Sequence, residues 1–226
     1  MKALSIEVTR RCNQACDHCL RGDAQDKDLQ DWVIDEIAEV LNEPMVVSEI
    51  SDITLTGGEP FLKPEIIMSL LRKCHDARFW VATNGTVVTP EALMAAGALL
   101  SRWYNDDVRN ICEHETGPIA VSDDMFHEPP HVVWASLGYL RGSKMDAGSV
   151  IPIGRAADNG FGWNRKSFGP DCSNITVTVD GLVVLGCDYA YDSVEVLGSV
   201  KDLKKFLMDD NVHEDEEVGV EEVCEA

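Results

Sequence analysis

Three cysteines crowd into eight residues of this 226-residue chain: Cys12, Cys16 and Cys19, within TRRCNQACDHCLRG. Thiolates at this density hold a metal or a cluster, whereas a disulfide framework rarely packs its cysteines so closely. An iron–sulfur cubane ordinarily takes four cysteine thiolates. Three on one loop leave one iron without a protein ligand, and an open metal position is where a small molecule coordinates. The alternative is a structural zinc site. That requires a closed fourth ligand, and His18, adjacent to Cys19, is badly placed to wrap the same ion.

A second group follows at TLTGGEP. Gly57 and Gly58 allow close approach of backbone to a ligand and permit positive φ. Glu59 supplies a carboxylate that can accept a charge-assisted hydrogen bond from an ammonium group, and Pro60 closes the turn. Alone the tetrapeptide is only a turn; its distance after the cysteine loop makes it a candidate binding element. Asn84 and Gly85 in ATNGT, Ser122, Asp124 and His127 in AVSDDMFH, and Gly154 and Arg155 in VIPIGRA all fall where β-type runs end. Barrel enzymes build their sites at such ends, and Arg155 suits a bidentate carboxylate contact. Asn84 either caps its own turn or faces a ligand; His127 is either a surface histidine or a substrate contact.

The elements that must position these residues alternate between β and helical patterns, which implies βα units on a parallel sheet. Strands are expected over 3–9, 51–56, 78–83, 118–122 and 149–153. Helices are expected over 28–43, 64–74 with Pro64 first, 89–103 with Thr89 as N-cap, and 131–141. Asp180-Gly181 within NITVTVDGLVVLGC signals a β-hairpin over 174–187, followed by a strand over 194–200 and a helix over 201–209. A complete eight-unit barrel needs about 250 residues. The expected fold is therefore α/β: an open, partial TIM-type barrel of five to six βα units over 1–168, a β-hairpin and helix extension over 169–208, and an acidic tail over 209–226.

Cys-x3-Cys-x2-Cys directly after a first strand, with GGEP after the second, resembles the radical SAM superfamily over roughly residues 3–155. The resemblance implies that Cys12, Cys16 and Cys19 ligate three irons of a [4Fe–4S] cluster and that the amino and carboxylate groups of S-adenosyl-L-methionine chelate the fourth. It places His18, at a commonly aromatic position, near the adenine. It places Gly57, Gly58, Glu59 and Pro60 at the methionine amino group, and Asn84, Ser122, Asp124 and Arg155 near the ribose and carboxylate. The implied reaction is reductive cleavage to a 5′-deoxyadenosyl radical that abstracts hydrogen, with a flavodoxin- or ferredoxin-type electron donor. A peptide or protein substrate is expected. The rival readings are a glycyl-radical-enzyme activase, a nucleoside or small-metabolite enzyme and, outside enzymes, an iron–sulfur electron carrier, which needs no GGEP.

The C-terminal part resembles more faintly the SPASM and twitch extensions of peptide-modifying members, where two cysteines flanking a hairpin help hold an auxiliary cluster. Cys172, Gly181 and Cys187 fit that pattern roughly, with Cys224 left over; the alternative is a cluster-free hairpin. A single cluster is expected, because the nine acids of 209–226 oppose bringing Cys224 beside an anionic centre. Cys74, on an apolar helix pattern, belongs to the core, and Cys112 is expected to have no metal role.

Composition sets the outer bounds. The net charge of −21, from 19 basic and 40 acidic residues, argues against a sequence-independent grip on nucleic acid. The acidic tail reads as a solvated segment or a docking tail for a basic partner. With no run of 18 apolar residues and no signal-like N-terminus, a cytoplasmic protein without membrane partners is expected.

Overall fold

The computed structural model describes residues 2–105, 117–142, 146–162, 174–192 and 194–208. Cys112, Cys172, Cys224 and the acidic tail lie outside the described residues.

The chain runs β1 (Lys2–Thr9), α1 (Asp31–Leu41), α2 (Pro44–Ser48), β2 (Ile50–Gly57), α3 (Pro64–Lys73), β3 (Trp80–Thr83), α4 (Pro90–Trp103), β4 (Ile119–Ser122), α5 (Val132–Leu137), β5 (Tyr139–Arg141), α6 (Arg155–Asp158), β6 (Asn174–Val177), β7 (Leu182–Leu185), β8 (Val196–Ser199) and α7 (Leu203–Met208). The eight strands among the described residues join one sheet that does not close, in the order β5-β4-β3-β2-β1-β6-β7-β8. The pairings from β5 to β6 are parallel, and those of β6–β7 and β7–β8 are antiparallel. This is the open α/β architecture expected of a partial barrel. No helix among the described residues is long and apolar enough to cross a membrane.

Local chemistry explains the elements. Leu4, Ile6 and Val8 alternate on β1 and are fully buried, as are Val33, Ile34, Ile37 and Leu41 on α1. Ser5 and Glu7 point to the other face of β1 and are buried as well, so the central strand is covered on both sides, the usual condition of a parallel sheet. Thr89 caps α4 by accepting from the Ala92 amide at 3.1 Å. Pro64 occupies the start of α3, where its missing N–H costs nothing. Trp32 of α1 is 46% exposed; it lies over the turn at Gly181.

Two expectations need correction. The helix expected over 131–141 stops at Leu137, and Tyr139–Arg141 is the fifth strand. Gly138 makes this possible: a Cβ there would lie 2.5 Å from the Ile119 carbonyl, and its absence lets the chain enter the sheet beside β4. The strand expected over 149–153 does not form. Ser149 and Asp146 close a turn through the Ser149 amide and the Asp146 carboxylate at 2.9 Å, Pro152 has no N–H to offer a ladder, and the segment docks on the cysteine loop, with the Arg155 amide donating to the Cys19 carbonyl at 3.0 Å. The hairpin over 174–187 forms as expected, and its first arm lies beside β1.

Candidate functional site

The cysteine loop leaves β1 and is closed on itself before α1 begins. The Arg10 amide donates to the Lys27 carbonyl at 2.9 Å, and the Gln25 amide to the Arg10 carbonyl at 2.9 Å. At its tip the Cys19 amide donates to the Cys16 carbonyl at 3.1 Å. The Gln14 amide reaches Cys12 Sγ at 3.5 Å, and Cys16 Sγ donates to Gln14 Oε1 at 3.2 Å.

Gly57 and Gly58 hold this loop. Their Cα atoms lie against its backbone, the Gly58 amide donates to the Thr9 carbonyl at 2.7 Å, and the amide of the next residue, Glu59, donates to the Arg11 carbonyl at 2.8 Å. A Cβ at Gly57 or Gly58 would fall 2.2 Å from the Thr9 oxygen or 2.0 Å from the Arg11 oxygen. Only glycine fits either position.

Glu59 is fully buried. Its Oε1 accepts from the Phe61 amide at 3.0 Å and the Thr83 hydroxyl at 2.8 Å, and its Oε2 accepts from the Asn84 amide at 2.7 Å. It therefore ties the end of β2 to the end of β3. Burial pushes its carboxyl up to about 7, against the pull of those three donors. Asn84 in turn accepts from the Thr86 amide and hydroxyl through Oδ1, the turn cap foreseen in the sequence. Its Nδ2 donates to Asn13 Oδ1 at 2.9 Å and lies 3.9 Å from Cys12 Sγ.

A cleft of about 470 Å³ opens beside the loop. Cys12, Cys16, Cys19, His18, Gly57, Gly58, Asn84, Ser122 and Arg155 all line it. Glu59 and Asp124 support that wall from behind through Asn84 and His127, and Pro60 is outside its lining. Pro60 starts the short turn Pro60–Leu62. Asp124 accepts from the Phe126 and His127 amides and faces His127 Nδ1 at 2.8 Å. His18 stacks on Phe126 at 4.7 Å and meets the edge of His127 at 4.8 Å. Ligand-type atoms of His18, Asp124 and His127 lie within 4.8 Å of one another; Asp124 is hydrogen-bonded to His127, and His18 Nε2 lies 4.0 Å from the same carboxylate.

Electrostatics at the loop favour a cationic guest. Burial pushes the Cys12 thiol up, opposed by the Gln14 amide. Burial, then the neighbouring charges of Cys12 and Cys19, push Cys16 up to about 11, with Arg155 opposing. Three thiolates facing one space repel one another unless a metal centre neutralises them. Four buried polar atoms have no hydrogen-bond partner among the described residues and belong to residues lining the cleft: Gln14 Nε2, His18 Nδ1, Arg155 Nε and the Tyr191 hydroxyl. Buried polar atoms are nearly always paired, so this cluster of exceptions fits a cleft shaped around a polar ligand. The donor set and the orphaned atoms together suit a cubane with an open iron and a polar cofactor beside it.

A buried polar network behind the loop was not foreseen. Glu7, wholly buried, receives Arg10 Nε at 3.0 Å, the Tyr189 hydroxyl at 3.1 Å and the Val179 amide at 3.0 Å. Arg21 lies 3.8 Å above the Tyr189 ring and donates to the Tyr189 carbonyl at 3.0 Å; Arg10 lies 4.6 Å above Tyr191. The segment after β7 thereby braces the cysteine loop. A lone charge at an inward position of the apolar strand ALSIEVT was the signal for it. Cys187, Arg141 and Trp80 also reach the cleft. Cys74 lies in the core as expected, its thiol pushed up to about 12 by burial.

Residues 6–105 match the model of the radical SAM superfamily. The chain is 31% identical over 158 residues to the AdoMet-dependent heme synthase of Nitratidesulfovibrio vulgaris, covering 67% of this chain and 39% of that protein. It is 32% identical over 96 residues to the tungsten-containing aldehyde ferredoxin oxidoreductase cofactor-modifying protein of Pyrococcus furiosus, covering 41% of this chain and 26% of that one. The chain thus spans less than half the length of these curated relatives. Among solved structures, BtrN in complex with AdoMet and 2-DOIA superposes with a TM-score of 0.57 at 17% identity, covering 93% of this chain and 83% of BtrN, which shows a shared fold.

Proposed function

We propose that this chain, which carries a radical SAM domain, cleaves S-adenosyl-L-methionine reductively and directs the resulting radical at a substrate in the cleft. The radical SAM superfamily uses a [4Fe–4S] cluster and S-adenosyl-L-methionine. When bound, the cluster supplies one electron that splits the sulfonium into methionine and a 5′-deoxyadenosyl radical. The observation that carries the reading is the convergence of three motif thiols and four unpartnered polar atoms on one cleft.

The chain's residues take distinct parts. Cys12, Cys16 and Cys19 hold three irons. Asn84 Nδ2, near Cys12 Sγ, stabilises that thiolate. Arg155, anchored beside Cys19 through its amide, meets the cofactor carboxylate in a charge-assisted pair. His18, backed by Phe126, covers the adenine, and Asp124 holds the His18–His127 pair in place. Ser122 faces the ribose. Gly57 and Gly58 set the loop at its distance from β2. Glu59 acts on the amino group's side by fixing the Asn84 turn; its second oxygen accepts one bond, from Asn84, and has capacity for another.

The substrate is a peptide or protein. Support comes from the sheet, which among the described residues is unclosed, with β5 and β8 at its edges. We place the protein in the cytoplasm with a flavodoxin- or ferredoxin-type donor and a single cluster. The test is anaerobic reconstitution followed by iron and sulfide analysis and a 5′-deoxyadenosine assay. About four irons per chain, lost on joint replacement of Cys12, Cys16 and Cys19 by Ala, with slow 5′-deoxyadenosine formation, support the reading. Iron retained by the triple variant, or a reduced and loaded protein that forms no 5′-deoxyadenosine, overturns it. About eight irons would remove the single-cluster part alone.

A further inference from the structure

The floor of the cleft, on the sheet side away from the cysteine loop, has a chemistry of its own. Ser5 of β1, Thr54 and Thr56 of β2, and Asn174 of β6 line it with short hydroxyl and amide side chains. Trp80 of β3 and Arg141 of β5 complete it. The guanidinium carbon of Arg141 lies 5.8 Å from the centre of the Trp80 ring, and that ring lies 6.4 Å from Tyr139. The cation is thus held over an aromatic platform.

The other cleft cations differ from Arg141 in having partners. Arg10 pairs with Glu7 at 3.0 Å, Arg21 is fixed by the Tyr189 carbonyl and ring, and Arg155 has Asp23 at 3.8 Å. Among the described residues no carboxylate forms an ion pair with Arg141. Arg141 is exposed at the end of β5, and its side chain lines the cleft. A guanidinium remains protonated in proteins, so Arg141 offers the cleft a positive charge. Its planar fork matches carboxylate and phosphate groups bidentately.

We infer that Arg141, on its Trp80 platform, is the substrate-recognition residue of this cleft and that the substrate bears a carboxylate or phosphate group, which docks there. The inference rests on the reading of the cleft as a radical SAM site and adds the chemical class of the substrate. The hydroxyl and amide groups of the floor suit the same oxygen-rich group, since each can donate to it. Anchored at Arg141, the substrate extends toward the wall formed by the cysteine loop, His18 and Arg155. In a protein substrate the anchored group is an acidic or phosphorylated side chain.

The experiment uses the full chain, anaerobically reconstituted and saturated with S-adenosyl-L-methionine so that Arg155 is already occupied. Inorganic phosphate, acetate and the neutral isostere acetamide are titrated separately and followed by calorimetry, with tryptophan fluorescence as a second reading. Saturable binding of phosphate or acetate but not acetamide is expected, weakened at least about tenfold, the change that ~1.4 kcal/mol produces, in Arg141→Gln. Arg141→Lys, which keeps the charge and loses the fork, is expected to fall between the two, and circular dichroism of both variants checks that they fold. Tighter binding of phosphate assigns a phosphoryl group, and tighter binding of acetate a carboxylate. Equal affinities in the wild type and a folded Arg141→Gln, or no difference between acetate and acetamide, overturn the inference. The wild type's 5′-deoxyadenosine yield is measured in the same preparation. Its absence overturns the cofactor reading whatever the anion titrations show.

Discussion

Replacing Glu59 by Gln tests whether its carboxylate is a buried strut. Glu59 is fully buried, and burial raises its pKa from 4.5 to about 7. The sign follows from that direction. Below about pH 4.5 the carboxyl is protonated in both the folded and unfolded chain, and the fold carries no penalty. Above about pH 7 it is ionised in both, and the full desolvation cost falls on the folded state. Stability from this group is therefore present at low pH and lost as pH rises through 7. The two values differ by about 2.5 pH units, so at ~1.36 kcal/mol each the limit is about 3 kcal/mol, most of it gained between about pH 8 and pH 5. Glu59→Gln removes the titration. It also sets an amide N–H₂ against a donor, the Phe61 or the Asn84 amide, which adds a pH-independent cost of ~1–3 kcal/mol for an unpaired buried group. The assay is urea unfolding of the cluster-free chain under reducing conditions across that pH range. The repulsion among the 40 acidic residues is nearly common to both proteins and cancels in the difference. The expected result is a wild-type advantage that grows toward low pH. Two stability curves that run parallel across the range would show that Glu59 does not titrate there, and the argument from its burial would fail.

Other outcomes follow from the same geometry. Gly58→Ala places a methyl carbon 2.0 Å from the Arg11 oxygen; it is expected to cost at least ~1–3 kcal/mol and to lower iron retention, and normal iron content would show that the loop does not need this contact. Tyr189→Phe removes the hydroxyl bond to buried Glu7; it is expected to lower stability by ~1–3 kcal/mol in thermal unfolding, and an unchanged midpoint would detach the segment after β7 from the cysteine loop. Asn84→Ala removes a donor to Cys12 Sγ; the cluster's reduction potential is expected to fall, because a hydrogen bond to a ligand sulfur stabilises the more negative, reduced state. An unchanged potential in electrochemical titration would remove Asn84 from that role.

The motif residues were legible in the sequence because their chemistry is local. Cys12, Cys16 and Cys19 sit on one loop, so spacing alone brings them together, and the GGEP turn follows a strand whose period-2 pattern is plain. Helix starts at Pro64 and Thr89 were legible for the same reason, since a cap depends on only a few neighbouring residues. What the tertiary structure decided involves contacts between distant parts of the chain. Tyr139–Arg141 is a strand rather than the end of a helix because Gly138 permits close approach to Ile119, a contact that no helical or strand period encodes. The first arm of the hairpin pairs with β1 across more than 160 residues, and that pairing brings Tyr189 and Tyr191 behind the cysteine loop. Gly57 and Gly58, read as backbone open to a ligand, also prove to be backbone pressed against Thr9 and Arg11. Residue type and spacing determine which groups can do chemistry; which of them face the cleft and which brace it is set by the packing of segments far apart in the chain.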